Sequence, residues 1–134
     1  MSEGMSRRRD GDDSKPQNAL FNEEKLAELH QIASGNKDFL KKIAETYVAQ
    51  FEAKFPELKR VVETKDHEQI EQLAHLLKGA SYSVGLDETA SRFQQLELAG
   101  ETNEVENLEP VLEDIERQMQ RFAVEWDAYF NRLV

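Results

Sequence analysis

From Leu26 to Leu133 the apolar residues return mainly every three or four positions, the period of a helix and not the period of two that a half-buried strand shows. A recurrence of about 3.6 residues marks one face of an α-helix, so the pattern leaves room for helices and none for half-buried strands. Asn22, followed by Glu23 and Glu24, reads as an N-cap with acidic first-turn residues that suit the helix dipole. It opens a short helix carrying Leu26, Leu29 and Ile32, which ends near Gly35. A long second helix is predicted from about Lys37, with Phe39, Ile43, Tyr47, Phe51, Phe55, Leu58 and Val62 on its stripe. Pro56 inside that stripe predicts a kink or a brief break.

A third helix should begin near a cap at Asp66 and run to about Val84, burying Ile70, Leu73, Ala74, Leu77, Ser81 and Val84. After Gly85, Asp87 is expected to cap a fourth helix holding Ala90, Phe93 and Leu96, with Gly100 ending it. The last helix is expected from roughly Glu104 to Arg132. Its Leu108, Leu112, Ile115, Met119, Phe122, Trp126, Tyr129 and Leu133 follow steps of four and three, which suit bundle packing and equally a coiled-coil dimer face. Short connections make neighbours antiparallel. The expected fold is all-α: an antiparallel up-down-up-down four-helix bundle with an additional short N-terminal helix.

The 134 residues suffice for one domain with one modest core. Residues 1–20 are expected to be a disordered polar leader and residues 21–134 the bundle. The leader's charges surround no apolar run, which argues against a secretory signal, and no stretch is long and apolar enough to suggest a membrane span. No cysteine is present, so disulfides, thiolate chemistry and Cys-ligated zinc are excluded, and a cytoplasmic location is expected. A formal charge of −10 opposes nucleic-acid binding, because Arg7, Arg8 and Arg9 are the sole basic run.

The third helix departs from a plain bundle helix. At about 100° per residue its apolar stripe centres near Leu77, which turns His75 toward water with Lys78, Gly79, Tyr82, Glu68 and Glu71 on or beside its face. A glycine on an exposed helical face costs about 1 kcal/mol relative to alanine and adds nothing to a core. The physical reason to keep Gly79 is close approach of another molecule beside His75; the plain alternative is a surface glycine marking an early helix end. An imidazole with an unperturbed pKa of about 6.5 is substantially neutral and nucleophilic at neutral pH, so it can attack a phosphoryl group through one nitrogen while the other keeps the proton. Lys78 adds positive charge nearby. No P-loop, Gly-rich nucleotide loop or catalytic-loop signature is present, so the phosphoryl group would come from a partner, and the expected role is a carrier without its own ATP site and not an enzyme.

Ala74-His75-Leu76-Leu77-Lys78-Gly79-Ala80-Ser81, with Val84-Gly85-Leu86 behind it and Leu96-Glu97 further on, resembles the signature of the histidine-containing phosphotransfer (HPt) domain family. The motif itself occupies about residues 73–100, and the likeness in helix order extends over about residues 21–133. The resemblance implies that His75 is the phosphoacceptor through Nε2, that Lys78 lies beside the phosphoryl group, and that Gly79 clears space for a receiver domain. It implies that Glu97 bonds the other ring nitrogen, which would fix the tautomer. Partner contacts are expected at Glu71, Gly79 and Tyr82. The implied partners are response-regulator receiver domains and a sensor (hybrid) histidine kinase. No cofactor is expected on this chain, and Mg²⁺ would sit on the receiver. Phe93 and Thr89 depart from common residues of the family at positions expected to pack the third helix on the fourth.

His30 and His67 read as surface or first-turn residues. A carboxylate di-metal site needs inward Glu-x-x-His pairs, and no histidine here has Glu three residues before it, so no metal site is expected. Trp126, Tyr129 and Phe130 read as core. A monomer is expected. Two other readings remain beside the carrier: an adaptor that only binds receiver or kinase domains, and a coiled-coil assembly protein built on the last helix.

Overall fold

The computed structural model describes residues 20–132, and among them every regular element is an α-helix. In chain order these are α1 (Glu23–Ile32), α2 (Lys37–Thr64), α3 (His67–Ser83), α4 (Asp87–Thr102) and α5 (Glu109–Asn131). Helices α2 to α5 pack in a ring, each on its sequence neighbour and α5 back on α2, with α3 and α4 the most closely apposed pair. The expected four-helix bundle with a short leading helix is what forms. No helix among the described residues is long and apolar enough to cross a membrane.

The local signals act largely as their chemistry dictates. The side chains of Asn22, Asn36 and Asp66 accept hydrogen bonds from the backbone N–H of Lys25, Phe39 and Gln69, satisfying donors that the first turn leaves open. Gly85 takes a positive φ of 76° in the turn from α3 to α4, where its carbonyl accepts a 2.8 Å bond from the N–H of Asn22. Asn22 also donates its side-chain amide to Asp87 Oδ2 at 2.8 Å. One residue thus caps α1 and ties it to the turn behind α3.

Two stacked clusters form the interior. One gathers Phe51, Phe55, Leu58, Ile70, Leu77, Phe93, Leu96 and Ile115; the other joins Leu20, Phe21, Leu26, Tyr47, Val84, Phe122 and Trp126, and Met119 packs against both. Leu20 is buried there, so the bundle begins one residue earlier than expected; the rest of the anticipated leader, residues 1–19, lies outside the described residues, as does Leu133.

Several boundaries differ from expectation, each for a physical reason. Helix α2 runs unbroken through Pro56, which sits on the solvent side, where water can serve the carbonyl left without a helical donor. Phe39, expected on the stripe, is largely exposed in the first turn of α2. Asp87 is the first residue of α4 and not its cap; the capping position is Leu86, which offers no side-chain acceptor. Helix α4 continues through Gly100 to Thr102 and stops where Asn103 turns left-handed, with φ of 59°. Helix α5 therefore starts at Glu109 with Pro110 in its first turn, and residues 103–108 form a connection that buries Val105 and Leu108.

Gly100 is a packing residue. A Cβ there would stand 2.6 Å from the carbonyl oxygen of His67 and 2.7 Å from the backbone N of Glu71, so only glycine admits this approach of α4 to α3. His67 is half-buried at the same crossing, with Nδ1 3.3 Å from the Gly100 carbonyl, where a free surface side chain was expected.

Candidate functional site

Helix α3 carries the candidate site residues on the margin left over once the apolar stripe is buried. Ile70, Ala74, Leu77 and Ser81 are closed off from solvent. His75, one residue beyond Ala74, keeps 69% of its side-chain surface exposed. Tyr82 is 46% exposed two turns on. Ser81 anchors the helix from inside: its hydroxyl donates to the Leu77 carbonyl at 2.8 Å and shares a 2.8 Å bond with the Tyr47 hydroxyl of α2. Burial pushes the Tyr47 phenol up to about 12, against the smaller opposing effect of the Ser81 bond.

Across the α3–α4 interface, Glu97 reaches His75. Nδ1 of His75 lies within hydrogen-bond distance of Glu97 Oε2, at 2.8 Å, and the ammonium of Lys78 lies 2.7 Å from Oε1. That second oxygen is shut off from water, and its contact with Lys78 is an ion pair without the alignment of a directed hydrogen bond. Partial burial works to raise the Glu97 carboxyl, but Lys78 and then His75 outweigh it and hold the group below the ordinary glutamate range. A carboxylate ionised at neutral pH only accepts, so the nitrogen facing it is the one that carries the proton. Neutral His75 is thereby fixed with hydrogen on Nδ1 and the lone pair on Nε2.

Lys78 was expected to stand on the open face beside His75. Its side chain is only 19% exposed and leans across to α4, where it also donates to Gln94 Oε1 at 3.2 Å. Gln94 was not foreseen. It precedes Glu97 by three residues, which puts both on the α4 face toward α3; the signal existed only once the cross-helix register was known.

Gly79 lies exposed one turn from His75, and a Cβ built there meets nothing within 4 Å. No contact among the described residues requires glycine at this position. Glu71 is half-buried over the Gly100 crossing, and Tyr82 lies at the far end of the same exposed face. Leu76 and Leu98 add exposed apolar surface on α3 and α4.

The two departures from family habit prove to involve more than the α3–α4 contact. The Phe93 ring meets Phe51 and Phe55 of α2 edge-on, and buried Thr89 donates to Gln118 of α5. Gln118 in turn contacts Asp114, whose carboxylate is held by Arg92 at 2.6 Å.

A four-helix bundle that offers one carboxylate-tethered, solvent-facing imidazole from the middle of a helix belongs to the class of histidine-presenting helical modules. Residues 42–125 match the Hpt domain, and the chain belongs to that family. It is similar to the phosphorelay intermediate protein YPD1 of Candida albicans (strain SC5314 / ATCC MYA-2876), 26% identical over 90 residues that make up 67% of this chain and 48% of the relative. The chain thus spans about half the length of that relative. In fold it is similar to the crystal structure of histidine-containing phosphotransfer protein B (HptB) from Pseudomonas aeruginosa PAO1, with a TM-score of 0.75, 19% identity, and coverage of 87% of this chain and 98% of the other.

Proposed function

We propose that the protein is a phosphorelay carrier that takes a phosphoryl group on His75 Nε2 from the aspartyl phosphate of a receiver domain and hands it to another. The observation that supports this reading most is the 2.8 Å bond from His75 Nδ1 to Glu97, on a ring that is otherwise open to solvent. The lone pair of Nε2 attacks phosphorus, the bond from phosphorus to the aspartyl oxygen breaks, and the aspartate leaves as carboxylate. The proton stays on Nδ1, so the ring becomes a phosphoimidazolium cation, and the Glu97 carboxylate stands against the charge that develops. Return transfer reverses each bond change.

The chain supplies a nucleophile, a counter-ion and a cleared approach at Gly79, and it relies on its partner for the rest. Mg²⁺ belongs to the receiver, where it would neutralise the phosphoryl oxygens, and ATP is used by a sensor (hybrid) histidine kinase upstream. The docking face comprises Gly79, Tyr82 and Glu71 around His75, a small transient patch of monomeric protein. The location in keeping with such partners is the cytoplasm.

The test is incubation with receiver domains carrying labelled aspartyl phosphate. Label should appear on the wild-type protein as acid-labile, base-stable phosphate, and His75→Gln should carry none. Label retained by that variant would remove His75 from the reaction.

A further inference from the structure

Lys78 is held in a specific place before any phosphoryl group arrives. Its ammonium lies between Glu97 Oε1 at 2.7 Å and Gln94 Oε1 at 3.2 Å, both on α4. Glu97 serves two clients at once, the ammonium through one oxygen and the His75 ring through the other. The ammonium is thus held by one ion pair, to Glu97, and one hydrogen bond, to Gln94.

Phosphorylation of Nε2 changes both sides of that balance. The ring gains a positive charge that draws the carboxylate, and the phosphoryl group presents up to two negative charges that draw the ammonium. Glu97 cannot release the ring without abandoning the Nδ1 proton, whereas Lys78 can turn on a flexible stem. Gln94 is the neutral member: its amide oxygen stabilises Lys78 in the resting position and gains nothing in the phosphorylated one.

We propose that Gln94 is a positioning residue that parks Lys78 against Glu97, and that Lys78 leaves this position for the phosphoryl oxygens when His75 is modified. Gln94 thereby sets how strongly the phosphoryl group is held. This rests on the reading of His75 as acceptor, and it adds a residue that acts only through Lys78.

The probe is potassium phosphoramidate, which needs no receiver. Nε2 forms the bond to phosphorus, the P–N bond of phosphoramidate breaks, and its nitrogen leaves as ammonia. His75→Gln identifies the signal that belongs to His75, and the ³¹P shift of that signal is then titrated to read the last protonation of the phosphoryl group. A cation close to the group favours its dianion and lowers the titration midpoint.

Relative to the wild-type protein, Lys78→Met should raise the midpoint, Gln94→Ala should lower it and Gln94→Glu should raise it. Each shift should correspond to roughly a two- to threefold change in proton affinity at so exposed a site. In the Lys78→Met background Gln94→Ala should have no effect, which separates action through the ammonium from a general structural disturbance. A Gln94→Ala midpoint equal to that of the wild type, or a shift that persists without Lys78, would overturn the inference while leaving His75 as acceptor intact. Failure of His75 to take label from any receiver, with phosphoramidate still modifying it, would overturn the carrier reading alone.

Discussion

Nδ1 of His75 and Oε2 of Glu97 stand 2.8 Å apart, joining an exposed side chain of α3 to one of α4 that is only 17% exposed. The contact holds ring orientation and tautomer together, and both depend on a carboxylate that its two neighbours keep ionised. Replacing Glu97 with Gln retains an acceptor for Nδ1–H but removes the charge that would face a phosphoimidazolium. We expect Glu97→Gln to fold and to accept phosphoryl groups about tenfold more slowly, and Glu97→Ala to be slower still, in single-turnover transfer from a phosphorylated receiver; one tenfold step is the value of about 1.4 kcal/mol in a barrier.

The same carboxylate carries a pH signature. Because its folded pKa lies below the ordinary glutamate range, ionised Glu97 contributes stability that is present above the unfolded value and is lost as pH falls through the folded one. The stability difference between wild type and Glu97→Gln, measured by urea unfolding, should therefore shrink from neutral pH into the acid range. A difference that stays constant would mean that the Lys78–Glu97–His75 contacts do not depend on that charge.

Two helical glycines should respond to the same substitution with opposite sign. Gly79→Ala places a methyl in open space within a helix and should stabilise the fold by about 1 kcal/mol. Gly100→Ala drives a methyl into the His67 carbonyl and the Glu71 backbone and should cost about 1–3 kcal/mol. Thermal unfolding of the pair checks both. Under the proposed docking of a receiver at this position, Gly79→Gln should keep the fold and slow transfer, as single-turnover labelling would show.

Alkaline stability reports on the inner anchor of α3. An unfolded tyrosine ionises near its ordinary value of 10, whereas Tyr47 in the fold stays neutral to about 12. The stabilisation tied to neutral Tyr47 is complete below pH 10 and is lost as pH rises through about 12. Wild-type protein should therefore lose stability more steeply over that interval than Tyr47→Phe. At neutral pH the same variant should lose about 1 kcal/mol for the missing bond to Ser81. Urea unfolding across the alkaline range gives both quantities.

The legibility of this site in the sequence follows from how far apart its residues lie. His75, Lys78, Gly79 and Tyr82 share one helix, so a spacing of about 3.6 placed them together and away from Leu77 without any coordinates. Glu97 entered only through family likeness, and Gln94 not at all, because the register of α4 against α3 is set by packing that no local pattern encodes. Gly100 shows the ambiguity: a glycine that ends a helix and one that admits a neighbouring backbone look identical in a string. Pro110 carries usable information, since proline favours a first turn and so points to a start of α5 at Glu109 and not at Glu104. Lys78 was placed on the correct side of α3, but its inward lean depended on acceptors from another helix.

The most direct test of the account is the ring itself. A long-range ¹H–¹⁵N spectrum of the unmodified protein, recorded at a pH where His75 is neutral, distinguishes a protonated from an unprotonated nitrogen at each ring position. Hydrogen on Nδ1 and a bare Nε2 are expected for His75, with that preference lost in Glu97→Ala. A neutral ring found with hydrogen on Nε2, or a tautomer indifferent to Glu97, would contradict that expectation.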